Sequence, residues 1–149
     1  MPNANVHVPM SAATGFAYAL HQSRSQAPKH RLLESVAGAL GGGFGGKVPD
    51  ILDPPTSPSH RGHAHSLTLA TVLLASRNGL AGAISLIRDF ADEWDRRADD
   101  YEGGSPDGLI CQLVAIVLRA LAGFINGFYA GYLCHLGLDA MTPACVPLI

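Results

Sequence analysis

Apolar stretches of helical length alternate along the chain with polar, glycine-rich or proline-rich stretches. Their spacing predicts helices, because no segment alternates strictly between apolar and polar residues as a half-buried strand does. The predicted helices cover 11–20, 32–40, 67–76, a segment from about Leu80 into a densely charged run, and a last helix from about Leu109 to at least Leu138. The pattern therefore predicts an all-α protein, a compact helical bundle forming one domain over residues 1–149.

Two connecting segments are predicted to be non-helical. Five glycines among residues 41–46 disfavour helix and strand through backbone entropy, and we interpret them as a close-packing hinge. Pro54, Pro55 and Pro58 then predict an extended, stiff connection. Together they predict that the proline-rich segment folds back against the last helix.

The composition favours a membrane environment. Only 15% of the residues are charged, against about 25% in an ordinary soluble domain. Residues 120–138 contain no Asp, Glu, Lys or Arg, which is close to the length that crosses a bilayer, although Arg119 precedes them. We therefore expect a chain embedded in, or firmly attached to, an inner or cytoplasmic membrane. The first residues lack a basic stretch followed by an apolar core, so no cleavable signal peptide is expected.

The net charge and the positions of small residues indicate which binding partners to expect. A net charge of −2 gives no electrostatic reason to expect nucleic acid as a partner, whereas membrane lipid is expected. Gly123, Gly127 and Gly131 form a small-residue face that suits close helix packing, either in a homo-oligomer or within the bundle. The charged run is typical of a solvated helix face with pairs such as Asp92 with Arg96.

Two groups of side chains could bind a divalent metal ion. The first, within 16 positions, comprises Asp50, Asp53, His60, His63 and His65. Imidazole and carboxylate ligands suit zinc, manganese or iron, although an exposed polar loop has the same composition.

The second group is His135 and Asp139, four residues apart and so on one face of the last helix. Such a pair can coordinate one ion or form an ordinary surface ion pair. Here it directly follows the most apolar segment of the chain, where unpaired polar groups are energetically unfavourable. If the first group folds back onto this pair, the histidines share one cation.

These strings resemble the YdjM-like membrane-bound metal-dependent hydrolases. That family has a proline–aspartate segment with a second acidic residue, an HRG-x-x-HS element, and a late G-Y-x-x-H-x-x-x-D-x-x-T-P element. The matching residues are Asp50, Asp53, His60, Arg61, Gly62, His65, Ser66, His135, Asp139, Thr142 and Pro143, with His7 ahead of Gly15 matching the family's first histidine and small-residue helix. The two acids are three apart here, where family members usually have Pro-Asp-x-Asp.

The resemblance implies a helical, membrane-associated hydrolase that uses a divalent metal, with zinc preferred over manganese or iron, and a phosphoester or phospholipid substrate. The metal ligands, for one or two ions, would be His7, Asp50, His60, His65, His135 and Asp139. Asp53 is interpreted as the general base or as a residue that orients a ligand, and Arg61 as a substrate-phosphate contact or a partner of Asp50 or Asp53. His63 occupies a variable position of the motif.

Two other interpretations stay open. A small helical membrane protein could have a structural or assembly role without catalysis, and a soluble phosphohydrolase could use the same metal ligands without touching lipid. The sequence therefore predicts the residues of a site more firmly than it predicts the reaction.

Overall fold

The computed structural model describes residues 4–52, 66–102 and 104–141, apart from the side chains of residues 4 and 5. All regular structure in these ranges is helical, which confirms the all-α prediction. The helices are α1 (Ala4–Gln22), α2 (Pro28–Gly45), α3 (Val48–Leu52), α4 (Leu67–Ala75), α5 (Arg77–Asp99) and α6 (Pro106–Ala140). α1, α2 and α6 pack against one another, and α5 lies along α6.

Local sequence sets where the helices begin. Ser105 caps α6 by accepting a hydrogen bond from the backbone N–H of Gly108 at 3.2 Å, and Pro106 fits the first turn because no partner is needed there for its missing N–H. α2 also begins at a proline, Pro28. α4 and α5 meet at Ser76 with a bend of 50°, one residue before the predicted break.

The glycines of residues 41–46 do not interrupt α2, contrary to the sequence prediction. α2 continues through them to Gly45 because α1 and α6 pack directly against its backbone. A Cβ atom on Gly42 would lie 2.3 Å from the carbonyl oxygen of Ser11 in α1. The close-packing role predicted for this segment is present, and helix-to-helix contact offsets the low helix propensity of glycine.

The small-residue face of α6 packs within the chain. Cβ atoms added to Gly127 and Gly131 would lie 1.9 and 2.2 Å from the carbonyl oxygens of Gly38 and Gly42 in α2. Gly123 approaches Glu34 of α2 equally closely, at 2.2 Å from its carbonyl oxygen. This face is therefore filled by α2, not open to a second copy of the chain, so the oligomer contact expected there has no room.

Buried charges join the helices. Arg119 is 2% exposed and donates hydrogen bonds to Asp92, Asp95 and Gln26. The predicted Asp92–Arg96 pair is replaced, since Arg96 instead contacts Glu93 at 2.5 Å. The charged run of α5 is thus only partly exposed to solvent. Its carboxylates Asp92 and Asp95 neutralise Arg119, the arginine that interrupts the apolar sequence of α6.

A second buried ion pair joins α2 to α5. Glu34 is fully buried, and Arg88 donates to both of its carboxylate oxygens, with Nε at 3.1 Å from each and Nη2 at 2.5 Å from Oε2. A bidentate pair of this kind fixes the orientation of both side chains. The pair therefore sets how α5 lies against α2.

The outer surface is rich in large apolar side chains. On α2 they recur every four residues and form one stripe, which consists of Leu32, Val36, Leu40 and Phe44. Its end contacts α6, where the ring of Phe44 lies 6.3 Å from that of Phe124. Beyond this contact, α6 exposes Leu109, Ile110, Leu113, Ile116, Val117 and Leu121. We call these exposed residues of α2 and α6 the apolar face.

α6 is long and apolar enough to cross a membrane by length and composition, and α4 with α5 would qualify as one bent span. Core helices of water-soluble proteins also reach this length and composition. Of the expected membrane association, the structure therefore supports one part, namely a single helix that could cross a membrane.

Candidate metal centre

Three helices bring their ends together at the end of the bundle where α2 and α6 finish. α1 contributes His7, α6 contributes His135 and Asp139, and the short helix α3 contributes Asp50. The i, i+4 spacing on α6 places His135 and Asp139 on one face, as the sequence predicts. α1 packs closely against α2 through small residues and also contacts α6, which carries His7 to the same place.

The ligand-type atoms are close to one another. Nε2 of His135 lies 3.3 Å from Oδ2 of Asp139 and 3.7 Å from Oδ1 of Asp50. Nε2 of His7 lies 3.9 Å from Oδ1 of Asp139, and the two imidazole rings are 4.4 Å apart between centroids. One donor atom from each of His7, His135 and Asp139 falls within 4.8 Å of the others. We call these three residues the His–His–Asp cluster.

The cluster is shielded from solvent on most sides. His7, His135 and Asp139 are 3%, 1% and 5% exposed, whereas the side chain of Asp50 is 35% exposed. Buried imidazole and carboxylate groups are unfavourable unless they pair with each other or with a cation. Asp50 therefore marks the side from which solvent or a small molecule reaches the cluster.

The orientation of His135 is fixed by the end of α2. Its Nδ1 lies 2.7 Å from the carbonyl oxygen of Gly46, so Nδ1 carries a hydrogen and donates. In the neutral ring this leaves a lone pair on Nε2, which faces the carboxylates of Asp139 and Asp50. A lone pair opposite two carboxylates is repulsive, so the arrangement calls for a proton or a metal cation between them.

The donor set fits a divalent metal. Two imidazoles and a carboxylate are a common protein ligand set for catalytic zinc, and ligands about 2.0–2.1 Å from a tetrahedral ion lie about 3.3 Å from one another. With one donor atom from each residue the three donors lie within 4.8 Å of one another, so they would have to close by up to about 1.5 Å to reach that geometry. His7, His135 and Asp139 would hold such an ion, with Asp50 beside it.

The structure brings together four of the six predicted ligands. His7, whose assignment depended on the family resemblance alone, lies with His135 and Asp139, and Asp50 adjoins them. The other predicted site residues lie outside the described residues, and so do the closing motif residues. They are Asp53, His60, Arg61, His63 and His65, followed by Thr142 and Pro143. Whether the histidines of the HRG element reach the same ion stays a prediction.

Sequence reasoning missed the carbonyl of Gly46, because any residue could supply it and only the approach of α6 to α2 makes it a partner. It also missed the polar cluster around Arg119, on the same helix. Arginine within an otherwise apolar helix was the available signal, since a buried guanidinium needs carboxylate partners.

Comparisons of the chain with family models, with curated proteins and with solved structures found no match. The functional assignment accordingly depends on the geometry of the His–His–Asp cluster and on the motifs in the sequence.

Proposed function

We propose that the protein is a membrane-associated, metal-dependent hydrolase that acts on a phosphoester, with a lipid phosphoester as its substrate class. The observation that carries the proposal is the convergence of His7, His135 and Asp139, from opposite ends of the sequence, on one buried point. Chance clustering of surface polar groups does not explain it, because all three side chains have been withdrawn from water.

Each described residue has a distinct part in this proposal. His7, His135 and Asp139 would hold the ion, and the hydrogen bond from Nδ1 of His135 to the Gly46 carbonyl would keep Nε2 turned toward it. A bound divalent metal supplies a water of lowered pKa and polarises a phosphoryl oxygen. Asp50, at the accessible edge, accepts a hydrogen bond from a water or from a protonated substrate oxygen.

Two further roles come from the family resemblance. Asp53 acts as the general base or orients a metal ligand, and Arg61 contacts the substrate phosphate through paired N–H donors. His60 and His65 complete the ligand set, and a second ion would need them.

The surface supports a lipid substrate. The apolar face places about ten large side chains outside the bundle, more than solvent contact alone favours. α6, which ends beside the cluster at Ala140, is the helix that could cross or line a bilayer. A phosphoester presented at the membrane surface would thus meet the cluster at the end of this helix.

Hydrolysis by the purified full chain tests the proposal. Phosphatidic acid in mixed micelles and a soluble aryl phosphate are offered with and without Zn²⁺ or Mn²⁺, and phosphate release is measured. We expect metal-dependent release that Asp53→Asn lowers by about a hundredfold or more with metal content unchanged. Asp107→Asn, an acid in the first turn of α6 at the other end of the bundle, is the matched control and should retain activity. Preference for the aryl phosphate would contradict the lipid substrate, and metal without any hydrolysis would contradict the enzyme.

One observation favours a second candidate, a structural metal that braces α1 against α6. All three residues of the His–His–Asp cluster are at least 95% buried, as in closed structural sites, and they connect the first and last helices. In that case a chelator lowers the unfolding temperature while no phosphoester is hydrolysed. The 35% exposure of the Asp50 side chain makes the catalytic assignment the better supported of the two.

A further inference from the structure

A groove of about 690 Å³ lies at the opposite end of the bundle from the His–His–Asp cluster. It is bounded by the start of α2, the second half of α5 and the first half of α6. Arg119 at this groove and His135 at the cluster are 16 residues apart on α6, which is about 24 Å along the helix. The volume is within the range of small-molecule sites, and the groove is separate from the proposed metal centre.

The floor of the groove holds a buried guanidinium. Arg119 is 2% exposed, and its two terminal nitrogens donate to Gln26, Asp92 and Asp95. Its Nε–H has no acceptor among the residues described. This nitrogen is itself buried, so Arg119 holds the two carboxylates of the groove floor in place and does not contact a ligand in the groove.

The walls carry charges of both signs. Asp92 and Asp95 both contact Arg119, which leaves one carboxylate charge over, and Glu93 is shared by Arg96 and Arg97, which leaves one guanidinium charge over. Lys29 and Asp99 also line the groove, and neither forms an ion pair with any other residue in the described ranges.

The histidine on this wall adds little charge. Partial burial and the neighbouring charge of Arg119 lower the pKa of His30 below its ordinary value, with Asp95 opposing the shift, so the ring is neutral near pH 7. Lys29 and Asp99 are thus the charged lining residues that form no ion pair within the described ranges, and one charge of each sign suits a ligand that carries both an anionic and a cationic group.

The groove also continues into an apolar surface. Leu33 and Ile116 line it, and Ile116 is itself half exposed and belongs to the apolar face. Leu32, which precedes Leu33 on α2, and Val117, which follows Ile116 on α6, are 62% and 56% exposed. A molecule with its polar group in the groove would lay an apolar chain across this face.

We propose that the groove binds the headgroup of a zwitterionic aminophospholipid, a second lipid site distinct from the hydrolytic centre. The phosphate contacts Lys29, the ammonium contacts Asp99, and the acyl chains lie on the apolar face. A purely anionic headgroup leaves Asp99 without a partner and faces Asp92 and Asp95. Selectivity for the amine therefore separates this site from a general attraction to lipid.

Native mass spectrometry of the full-length protein in detergent tests the site. Phosphatidylethanolamine and phosphatidylglycerol with identical acyl chains are supplied in equal amounts, and the retained lipid is counted. We expect the ethanolamine lipid to be retained in preference. Because these contacts are partly solvated, Asp99→Asn should reduce the preference by about two- to fivefold, and Lys29→Gln should reduce retention of both lipids by a similar factor.

The controls make the same chemical changes elsewhere. Asp100→Asn alters the acid that follows Asp99 at the C-cap of α5, and Lys47→Gln alters the other lysine of the chain, beyond the far end of α2; neither residue lines the groove. Both should bind lipid as the wild type does. Preferential retention of phosphatidylglycerol, or a ratio of the two lipids that Asp99→Asn leaves unchanged, overturns the proposal. Displacement of the lipid by equimolar O-phosphoethanolamine would show that the ligand is a soluble compound and would overturn the lipid assignment.

Discussion

The close contact of α6 with α2 at Gly127 gives the most quantitative prediction. In Gly127→Ala the added Cβ would lie 1.9 Å from the carbonyl oxygen of Gly38, 2.5 Å from its carbonyl carbon and 2.6 Å from its Cα. Ordinary contacts begin at 3.4 Å, so the two helices must separate by about 1.5 Å. The obstacle is backbone and cannot rotate away as a side chain could.

The magnitude follows from two opposing effects. Overpacking of a rigid contact destabilises by about 3 kcal/mol, the upper end of the usual range, because no side chain can yield. Replacing glycine by alanine within a helix raises the free energy of unfolding by about 1 kcal/mol through helix propensity. The net loss in the free energy of unfolding is therefore about 2 kcal/mol, which lowers the melting temperature by about 4–8 °C in a chain of this size.

Thermal unfolding followed by circular dichroism measures the effect, and Gly137→Ala is the matched control. Gly137 lies on the same helix, with nothing within 4 Å of an added Cβ, so this variant should melt about 2–4 °C above the wild type. The reasoning is refuted if Gly127→Ala melts at or above the wild type. Separation of α2 from α6 should also weaken metal binding, since it moves His135 away from the Gly46 carbonyl.

Three further predictions follow from other contacts. Glu34→Gln leaves the Arg88 guanidinium buried without its carboxylate and should lower the free energy of unfolding, measured by chemical denaturation, by about 3–5 kcal/mol. The double variant Glu34→Gln/Arg88→Met should recover part of that loss. Strictly additive effects of the two substitutions would argue against the pair. Ser105→Ala removes the oxygen that caps the N–H of Gly108 and should cost about 1 kcal/mol in the same assay; an unchanged midpoint would mean that the cap is dispensable. His63→Ala should keep full metal content by elemental analysis, because this histidine occupies the variable position of its motif, and loss of the metal would make it a ligand.

The sequence predicted the class of fold because the relevant signals are local. Apolar runs of helical length depend only on neighbours in the chain, so five of the six helices in the described ranges were predicted; α1 begins seven residues before its predicted start, and the short helix α3 was not predicted. The glycines of residues 41–46 were misread because propensity describes an isolated segment, whereas α1 and α6 supply the contacts that keep them helical.

The candidate site was partly predictable for a related reason. His135 and Asp139 share a face because of a local period, so their pairing needed no tertiary knowledge. His7 is more than a hundred residues away, and only the packing of α1 against α6 brings it to them; the family resemblance indicated it, but no spacing in the chain did. The groove around Arg119 depends on three helices at once, which no pattern along the chain describes.

Metal content is the most direct test of the central claim that distant residues share one cation. The wild type and His135→Ala are each exchanged into Zn²⁺, desalted and analysed for bound metal, with His21→Ala, a change at an exposed histidine at the end of α1, as the control. The account predicts at least one tightly held ion in the wild type and in His21→Ala, with nitrogen and oxygen ligands at about 2.0–2.1 Å by X-ray absorption, and loss of that ion in His135→Ala. Equal metal content in the wild type and His135→Ala would contradict it.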